Sequence, residues 1–238
     1  MTAQLFDRRK RKELSKINTV IFDFDGTIAD TNRLIIDSWH AVYRAYTGKD
    51  GDEDYILSTF GEPLYHSMAK AFPDKDLEET VSIYRNYQKE IFNDEISIFP
   101  GMDELIRNLK AHEFKLGIVT SRLKASTLQG LKVFGLDDIV DEIVTVEDTD
   151  KHKPDPEPAV ICLKRLGANP DEAIMVGDSL FDMGCGKNAG MKTVMVGWSA
   201  AANGTLESVA VQGISEEESK SFIPDYIIEK AEDLWKII

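Results

Sequence analysis

Short apolar runs recur along this chain, and amphipathic segments separate most of them. The runs lie at residues 20–22, 116–119, 142–145, 173–176, 193–196 and 226–228. A strand that is apolar on both faces is typical of a parallel sheet covered on both sides. Between the runs, helical patterns recur, and the face formed by Met102, Leu105, Ile106 and Leu109 is an example. The alternation predicts an α/β fold with a doubly wound parallel sheet.

One long segment, residues 31–97, interrupts this alternation. The spacing of Ile35, Trp39, Val42 and Tyr46 predicts a helix that ends at Gly48, and residues 77–92 form a second long helical candidate. We therefore expect a small helical domain (31–97) inserted after the first strand. The sheet domain would comprise residues 18–30 and 98–238, preceded by a basic N-terminal tail or helix at residues 1–17.

The charge balance limits the possible partners. The 238 residues include 42 acidic and 28 basic side chains, for a net charge of −14. A field of this sign opposes nucleic acid and anionic membranes, so we expect neither as a partner. The basic run at residues 8–12 is interpreted as a solvated face, and no secretory or membrane-spanning segment is recognised. Cys162 and Cys185 form no disulfide framework or zinc pattern. We expect a cytoplasmic globular protein, either a monomer or a homodimer.

The segment at residues 20–27, VIFDFDGT, places two carboxylates directly after an apolar run. Asp23 and Asp25 would share one face of an extended chain and repel each other unless a cation lay between them. A calcium loop starting at Asp23 would need Gly at its sixth position and Glu at its twelfth, where Ile28 and Leu34 stand, so that loop is excluded. Two interpretations of the paired aspartates remain: a solvated strand face, or a functional site at the carboxyl end of a buried parallel strand.

Polar residues also follow other predicted strands. Thr120 follows the run at 116–119, Asp178 and Asp182 follow the run at 173–176, and Lys153 lies between them in sequence. The carboxyl ends of parallel strands meet at one edge, so these groups should share a cleft with the two aspartates. Carboxylates tolerate a phosphate only through a cation, and Mg²⁺ prefers oxygen ligands. A lysine and a hydroxyl can hold phosphoryl oxygens, and aspartates can attack phosphorus or move a proton. The set therefore predicts phosphoryl transfer on a small anionic phosphorylated substrate.

Together these motifs resemble those of the haloacid dehalogenase superfamily, in the group with a helical cap. Residues 23–27 match the first motif, Thr120 the second, Lys153 before Pro154 the third, and residues 177–182 the fourth. The resemblance implies a Rossmann-like core. It also implies that Asp23 is the nucleophile, that Asp25 is the general acid and base, and that Thr120 and Lys153 hold the phosphoryl group.

The resemblance implies further binding groups. Ser121 and Gly26 would help to bind the phosphate. Mg²⁺ would be held by Asp23, by the backbone carbonyl of Asp25 and by Asp178, with Asp182 in support. The dehalogenases themselves lack the second aspartate of the first motif, so the second aspartate here argues against dehalogenation.

Within the superfamily, residues 61–64 and 153–158 look like the phosphoglycolate phosphatase and bacterial pyrophosphatase branch. This implies a Mg²⁺-dependent phosphohydrolase that acts on a small phosphorylated metabolite or pyrophosphate through an aspartyl-phosphate. The β-phosphoglucomutases are an alternative, but they usually carry a histidine where Ile35 stands here and an arginine in the cap loop, which residues 61–64 lack. A phospho-receiver or binding protein is less favoured, because a receiver lacks the helical insertion and an aspartate like Asp25.

Four basic residues of the expected cap have no assigned role in this scheme. We interpret them as solvated, with the alternative that one of them reaches an anionic leaving group; they are Arg33, Lys70, Arg85 and Lys89.

Overall fold

The computed structural model describes residues 17–199 and 220–238, so the predicted basic N-terminal tail lies almost entirely outside the described residues. The strands are β1 (Thr19–Phe22), β2 (Ala29–Asp30), β3 (Ser97–Ile98), β4 (Lys115–Val119), β5 (Glu142–Val144), β6 (Ala173–Gly177), β7 (Lys192–Val196) and β8 (Tyr226–Ile228). The helices are α1 (Asn32–Thr47), α2 (Glu53–Ser58), α3 (Leu64–Ala71), α4 (Leu77–Glu95), α5 (Met102–Ala111), α6 (Lys124–Val133), α7 (Glu157–Leu166) and α8 (Leu180–Asn188).

Six strands form one parallel sheet in the order β5-β4-β1-β6-β7-β8. Each strand that the apolar runs predicted is present in it. β1 lies between β4 and β6, and Phe22 is in register with Ile118 and Val176. The residues that follow these three strands therefore emerge at nearly the same level of the sheet edge.

Both faces of the sheet are covered, as the apolar runs predict. Val20 and Phe22 point to the side where α5 packs and share a buried cluster with Leu105. Ile21, between them, points to the opposite side and packs with Cys162 of α7. Fully burying side chains of this size contributes about 1.5–3 kcal/mol each relative to exposure. The alternation within β1 thus produces a doubly wound sheet, which confirms the predicted fold class.

The helices α1–α4 lie between β2 and β3 and have a buried cluster of their own, to which Trp39, Val42 and Tyr84 belong. We call residues 31–97 the helical insertion. α1 ends as predicted at Gly48, which adopts φ 74° and donates its N–H to the carbonyl of Arg44. The two-residue antiparallel ladder of β2 and β3 at the base of the insertion was not predicted, because two residues show no periodicity.

Two further sequence expectations concern the cysteines and membrane spans. Cys162 and Cys185 are buried free thiols. A Cβ at Gly117 would come within 2.5 Å of Sγ of Cys162, so this thiol fills space against the sheet. Within the part of the chain that the structure describes, no helix combines the length and the apolar character that a membrane crossing requires.

Candidate active site

The carboxylate of Asp23 follows β1 directly and faces a buried ammonium. Nζ of Lys153 lies 3.0 Å from Oδ1 of Asp23, and the two side chains are only 2% and 7% exposed. Oδ1 of Asp23 has no hydrogen-bond partner of good geometry, so the contact is an ion pair. The structure thus places Lys153, which lies in the segment before α7, against the end of the central strand β1.

A second carboxylate, that of Asp182, holds the same ammonium. Its Oδ1 accepts a 2.5 Å hydrogen bond from Nζ of Lys153. Its Oδ2 accepts from the backbone N–H and the hydroxyl of Ser179, at 3.1 and 2.6 Å, in a capping box that begins α8. Asp182 is fully buried, and its fixed position orients Lys153 toward Asp23.

The third carboxylate belongs to Asp178, which follows β6. Its Oδ2 accepts a 2.6 Å hydrogen bond from the hydroxyl of Ser199. Gly26 lies against the same oxygen: it has φ 74°, and a Cβ there would come within 1.9 Å of Oδ2 of Asp178. The glycine of the first motif is therefore required both for its left-handed backbone and for the approach of Asp178.

The three carboxylates form one buried acidic cluster. One oxygen from each of Asp23, Asp178 and Asp182 lies within 4.8 Å of the others. Burial, followed by the charge of Asp182, raises the pKa of Asp178 to about 7, while the hydrogen bond from Ser199 opposes this rise. Burial and the charge of Asp182 also raise the pKa of Asp23 well above its usual range. Three carboxylates facing one ammonium leave an excess of buried negative charge, and this excess fits a cation.

Lys153 remains charged in this setting. Burial alone would lower the pKa of its ammonium, but the charges of Asp182 and Asp23 outweigh burial and raise it above the usual value. The site therefore presents a permanent positive charge beside Asp23.

Asp25, two residues from Asp23, has hydrogen-bond partners of its own. Oδ1 of Asp25 accepts hydrogen bonds from Nη1 of Arg122 and from the hydroxyl of Thr31, both at 2.7 Å. A carboxyl held by two donors outside the cluster is suited to a different task from that of Asp23.

The hydroxyl groups that follow β4 lie in the same cleft. The backbone N–H of Thr120 bonds to the carbonyl of Val144 at 3.0 Å, which fixes its position at the edge of the sheet. Thr120 and Ser121 line a cavity of about 140 Å³ together with Asp23, Asp25 and Lys153. The structure thus brings the predicted residues of all four motifs to one place.

The helical insertion forms the opposite wall of this cavity. Side chains of α1 and α4 line it, as does the loop between α2 and α3. In that loop, Gly61 has φ 87°, and a Cβ there would come within 3.1 Å of the hydroxyl of Ser179. The insertion therefore contacts the core beside the acidic cluster.

Two side chains near the site, those of Ser199 and Arg122, were not recognised from the sequence. Ser199 follows β7, as Thr120 follows β4, so its position after an apolar run was the available signal. Arg122 stands two residues after Thr120. Among the four basic residues of the insertion, Arg33 is exposed as interpreted, whereas Arg85 has a buried Nε and lines the cavity, which fits the alternative that one of the four reaches the leaving group.

The fold and the site define a class of protein: an α/β enzyme with acidic and basic groups at the carboxyl ends of adjacent parallel strands. Residues 20–196 match the model of the haloacid dehalogenase-like hydrolase family. The chain belongs to this family.

The relatives agree with the family assignment. The chain is 38% identical to pyrophosphatase PpaX of Halalkalibacterium halodurans over 224 residues, which cover 94% of this chain and 97% of that protein. It is 37% identical to pyrophosphatase PpaX of Bacillus velezensis, with coverage of 93% and 96%. A haloacid dehalogenase-like hydrolase from Streptococcus pneumoniae has a similar structure, with a TM-score of 0.78 at 23% identity, covering 93% of this chain and 98% of that one. The chain is thus a phosphatase of the haloacid dehalogenase-like type.

Proposed function

We propose that this protein is a Mg²⁺-dependent phosphohydrolase that acts on a small phosphorylated metabolite or pyrophosphate through an aspartyl-phosphate on Asp23. The observation that carries the proposal is the acidic cluster with Lys153 at its centre, at the ends of neighbouring strands β1 and β6. The pyrophosphatase relatives support pyrophosphate as one candidate substrate.

In the first step, a carboxylate oxygen of Asp23 forms a bond to phosphorus as the bond from phosphorus to the leaving oxygen breaks. Asp25 gives its proton to the leaving oxygen. Because Oδ1 of Asp25 accepts from Arg122 and Thr31, we assign the proton to Oδ2. Lys153 and Thr120 hold the phosphoryl oxygens, where negative charge increases in the transition state.

In the second step, water attacks the phosphorus of the aspartyl-phosphate. Asp25, now ionised, removes a proton from this water, and the bond from phosphorus to the oxygen of Asp23 breaks. Inorganic phosphate leaves, and both carboxyl groups return to their starting protonation states. Such a division of roles requires different surroundings for the carboxyl groups of Asp23 and Asp25.

The residues present fit a magnesium ion. Asp23 and Asp178 would hold it, with the backbone carbonyl of Asp25, and Asp182 would support the site through Lys153. When bound, Mg²⁺ neutralises the buried carboxylates and the phosphoryl oxygens and so lets an anion approach them.

We further propose that the helical insertion is a cap that selects the substrate. The cavity between the insertion and the core, about 140 Å³, is smaller than the roughly 300–1,000 Å³ of pockets for drug-sized ligands. This space suits a small phosphorylated molecule, and the insertion that walls it stands in the way of the surface of a folded phosphoprotein. Ile35 lines the cavity as an apolar side chain, so it supplies no proton carrier there, which favours hydrolysis over a mutase reaction.

The test is phosphate release from pyrophosphate and from a panel of small phosphomonoesters, before and after removal of divalent metal. We expect no release after chelation, recovery with Mg²⁺, and no activity on a folded phosphoprotein. Full activity after thorough chelation contradicts the metal assignment, and preference for the phosphoprotein contradicts the role of the insertion.

A further inference from the structure

Two arginines line the cavity outside the acidic cluster. Arg85 lies on α4 of the helical insertion, and Arg122 follows β4 in the core. Three of their nitrogen atoms are buried without a hydrogen-bond partner: Nε of Arg85, and Nε and Nη2 of Arg122. A buried donor of a permanently charged group is costly to leave unpartnered, so these atoms favour an acceptor that enters the cavity.

Aromatic rings hold both guanidinium groups in place. The guanidinium carbon of Arg122 lies 5.3 Å from the ring centre of Phe92, and that of Arg85 lies 5.2 Å from the ring centre of Tyr65. Contact with the face of a ring positions a guanidinium without using its N–H groups. Nε of Arg85, and Nε and Nη2 of Arg122, therefore remain for a ligand.

Two further polar side chains of α4 lie beside the arginines. The hydroxyl of Tyr84 accepts a 3.2 Å hydrogen bond from Gln88, so its own hydrogen can be donated elsewhere. Burial raises the pKa of Tyr84, against the charge of Arg122, so the hydroxyl keeps its proton near neutral pH. Both side chains line the cavity with Arg85, so residues 84, 85 and 88 present donors from one helix.

The acidic groups of the cavity have partners of their own and do not satisfy all of these donors. Glu62 accepts from Ser67 at 2.8 Å and from Lys70 at 3.1 Å. Asp25 takes one donor of Arg122, its Nη1. The unpartnered nitrogen atoms therefore suit an anionic acceptor that comes with the substrate.

We propose that Arg85, Arg122, Tyr84 and Gln88 form a subsite for a second anionic group, a phosphate or a carboxylate, carried by the leaving group. This rests on the proposed function, in which Lys153 and the acidic cluster hold the transferred phosphoryl group. Guanidinium groups bind phosphate and carboxylate through paired N–H donors, whereas an uncharged leaving group leaves these donors unpartnered. The protein then selects substrates with an anion on both sides of the scissile bond.

Arg85 is the diagnostic residue, because Arg122 also positions Asp25 and its loss would slow every substrate. We compare kcat/KM of wild type and Arg85→Gln on pyrophosphate, on phosphoglycolate and on phenyl phosphate, whose leaving group is uncharged once protonated. We expect a loss of about 10- to 100-fold on at least one of the two anionic substrates, and a change of no more than about threefold on phenyl phosphate. If kcat/KM falls more on pyrophosphate, the second anionic group is a phosphate. If kcat/KM falls more on phosphoglycolate, it is a carboxylate.

Two further variants complete the comparison. Arg44→Gln removes an exposed arginine of the same insertion, which is paired with Asp50 away from the cavity, and should match wild type on all three substrates. Arg85→Lys keeps the charge but loses the paired donors, so it should fall between wild type and Arg85→Gln. Two results would overturn the subsite. In the first, both folded Arg85 variants lose kcat/KM equally on all three substrates; in the second, neither variant loses kcat/KM on either anionic substrate.

A binding experiment separates this proposal from the proposed function. Calorimetry in the presence of Mg²⁺ measures the affinity for methylenebisphosphonate, which is not hydrolysed, and for methylphosphonate, which has one anionic group. Arg85→Gln should weaken binding of the first by about 10-fold or more and leave the second unchanged. If the wild type hydrolyses none of the substrates, the proposed function fails. In this binding experiment, the subsite fails if Arg85→Gln changes the affinity for both ligands alike.

Discussion

Nζ of Lys153 lies 3.0 Å from Oδ1 of Asp23, and the same ammonium also binds Asp182. All three side chains are buried, so their charges depend on one another. The segment before α7, the end of β1 and the first turn of α8 are held together by this contact.

Removing the ammonium should destabilise the metal-free protein. Lys153→Met keeps most of the volume but leaves Asp23 and Asp182 buried without a counter-charge, which should lower the free energy of unfolding by about 3–5 kcal/mol. Urea unfolding in the presence of a chelator measures this. Lys110→Met, which breaks the exposed contact with Asp141, is the matched control and should change little. Similar effects of the two substitutions contradict the structural role of Lys153.

Gly26 and Gly48 offer a matched pair, because both adopt φ 74°. Gly48→Ala meets no atom within 4 Å, so it should cost only about 1–2 kcal/mol of backbone strain and leave the activity unchanged. Gly26→Ala also displaces Asp178 and should lower Mg²⁺-dependent phosphate release at least about 100-fold. Chemical denaturation and activity assays on both variants separate backbone strain from damage to the site. Comparable activity in the two variants speaks against the packing of Gly26 on Asp178.

Asp178 should make the stability of the metal-free protein depend on pH. Its pKa is raised to about 7 in the folded protein, chiefly by burial, against 3.8 as its ordinary value. Between these values the folded state binds a proton that the unfolded state lacks, so this contribution to stability falls as the pH rises from about 4 to about 7. Thermal melting with a chelator at several pH values measures the slope. Asp178→Asn should flatten the slope, and an unchanged slope in this variant contradicts the shifted pKa.

Ser199 should act as a positioning residue for the metal ligand. Ser199→Ala removes the 2.6 Å hydrogen bond to Asp178 and should raise the Mg²⁺ concentration for half-maximal activity by about 10-fold or more. The rate at saturating Mg²⁺ should stay close to that of wild type, because Ser199 itself does not touch the reacting atoms. A lower saturating rate with an unchanged Mg²⁺ requirement contradicts this role.

The sequence predicted the parallel sheet, because strands that are apolar on both faces, such as β1 and β6, are stable where helices cover both sides of the sheet. It also predicted that Asp23, Thr120 and Asp178 meet, since parallel neighbours bring their carboxyl ends together. The strand pattern alone put Asp23 and Asp25 on one face, and only the resemblance gave them different roles, because periodicity does not show the left-handed turn at Gly26. The sequence left open which of the four basic residues of the insertion reaches a leaving group, because helical periodicity does not show that Arg85 is the one facing the cavity.

In the proposed mechanism, Asp23 carries the phosphoryl group and Asp25 moves the proton. The direct measurement is rapid-quench mass spectrometry of the intact protein after mixing with Mg²⁺ and an activated aryl phosphate, which needs little protonation of its leaving group. Asp25→Asn should accumulate a phosphorylated protein, with the phosphate on Asp23, because no base activates the water. Asp23→Asn should show no phosphorylated protein at any time. A phosphoenzyme in Asp23→Asn, or wild-type turnover in Asp25→Asn, would contradict the assignment.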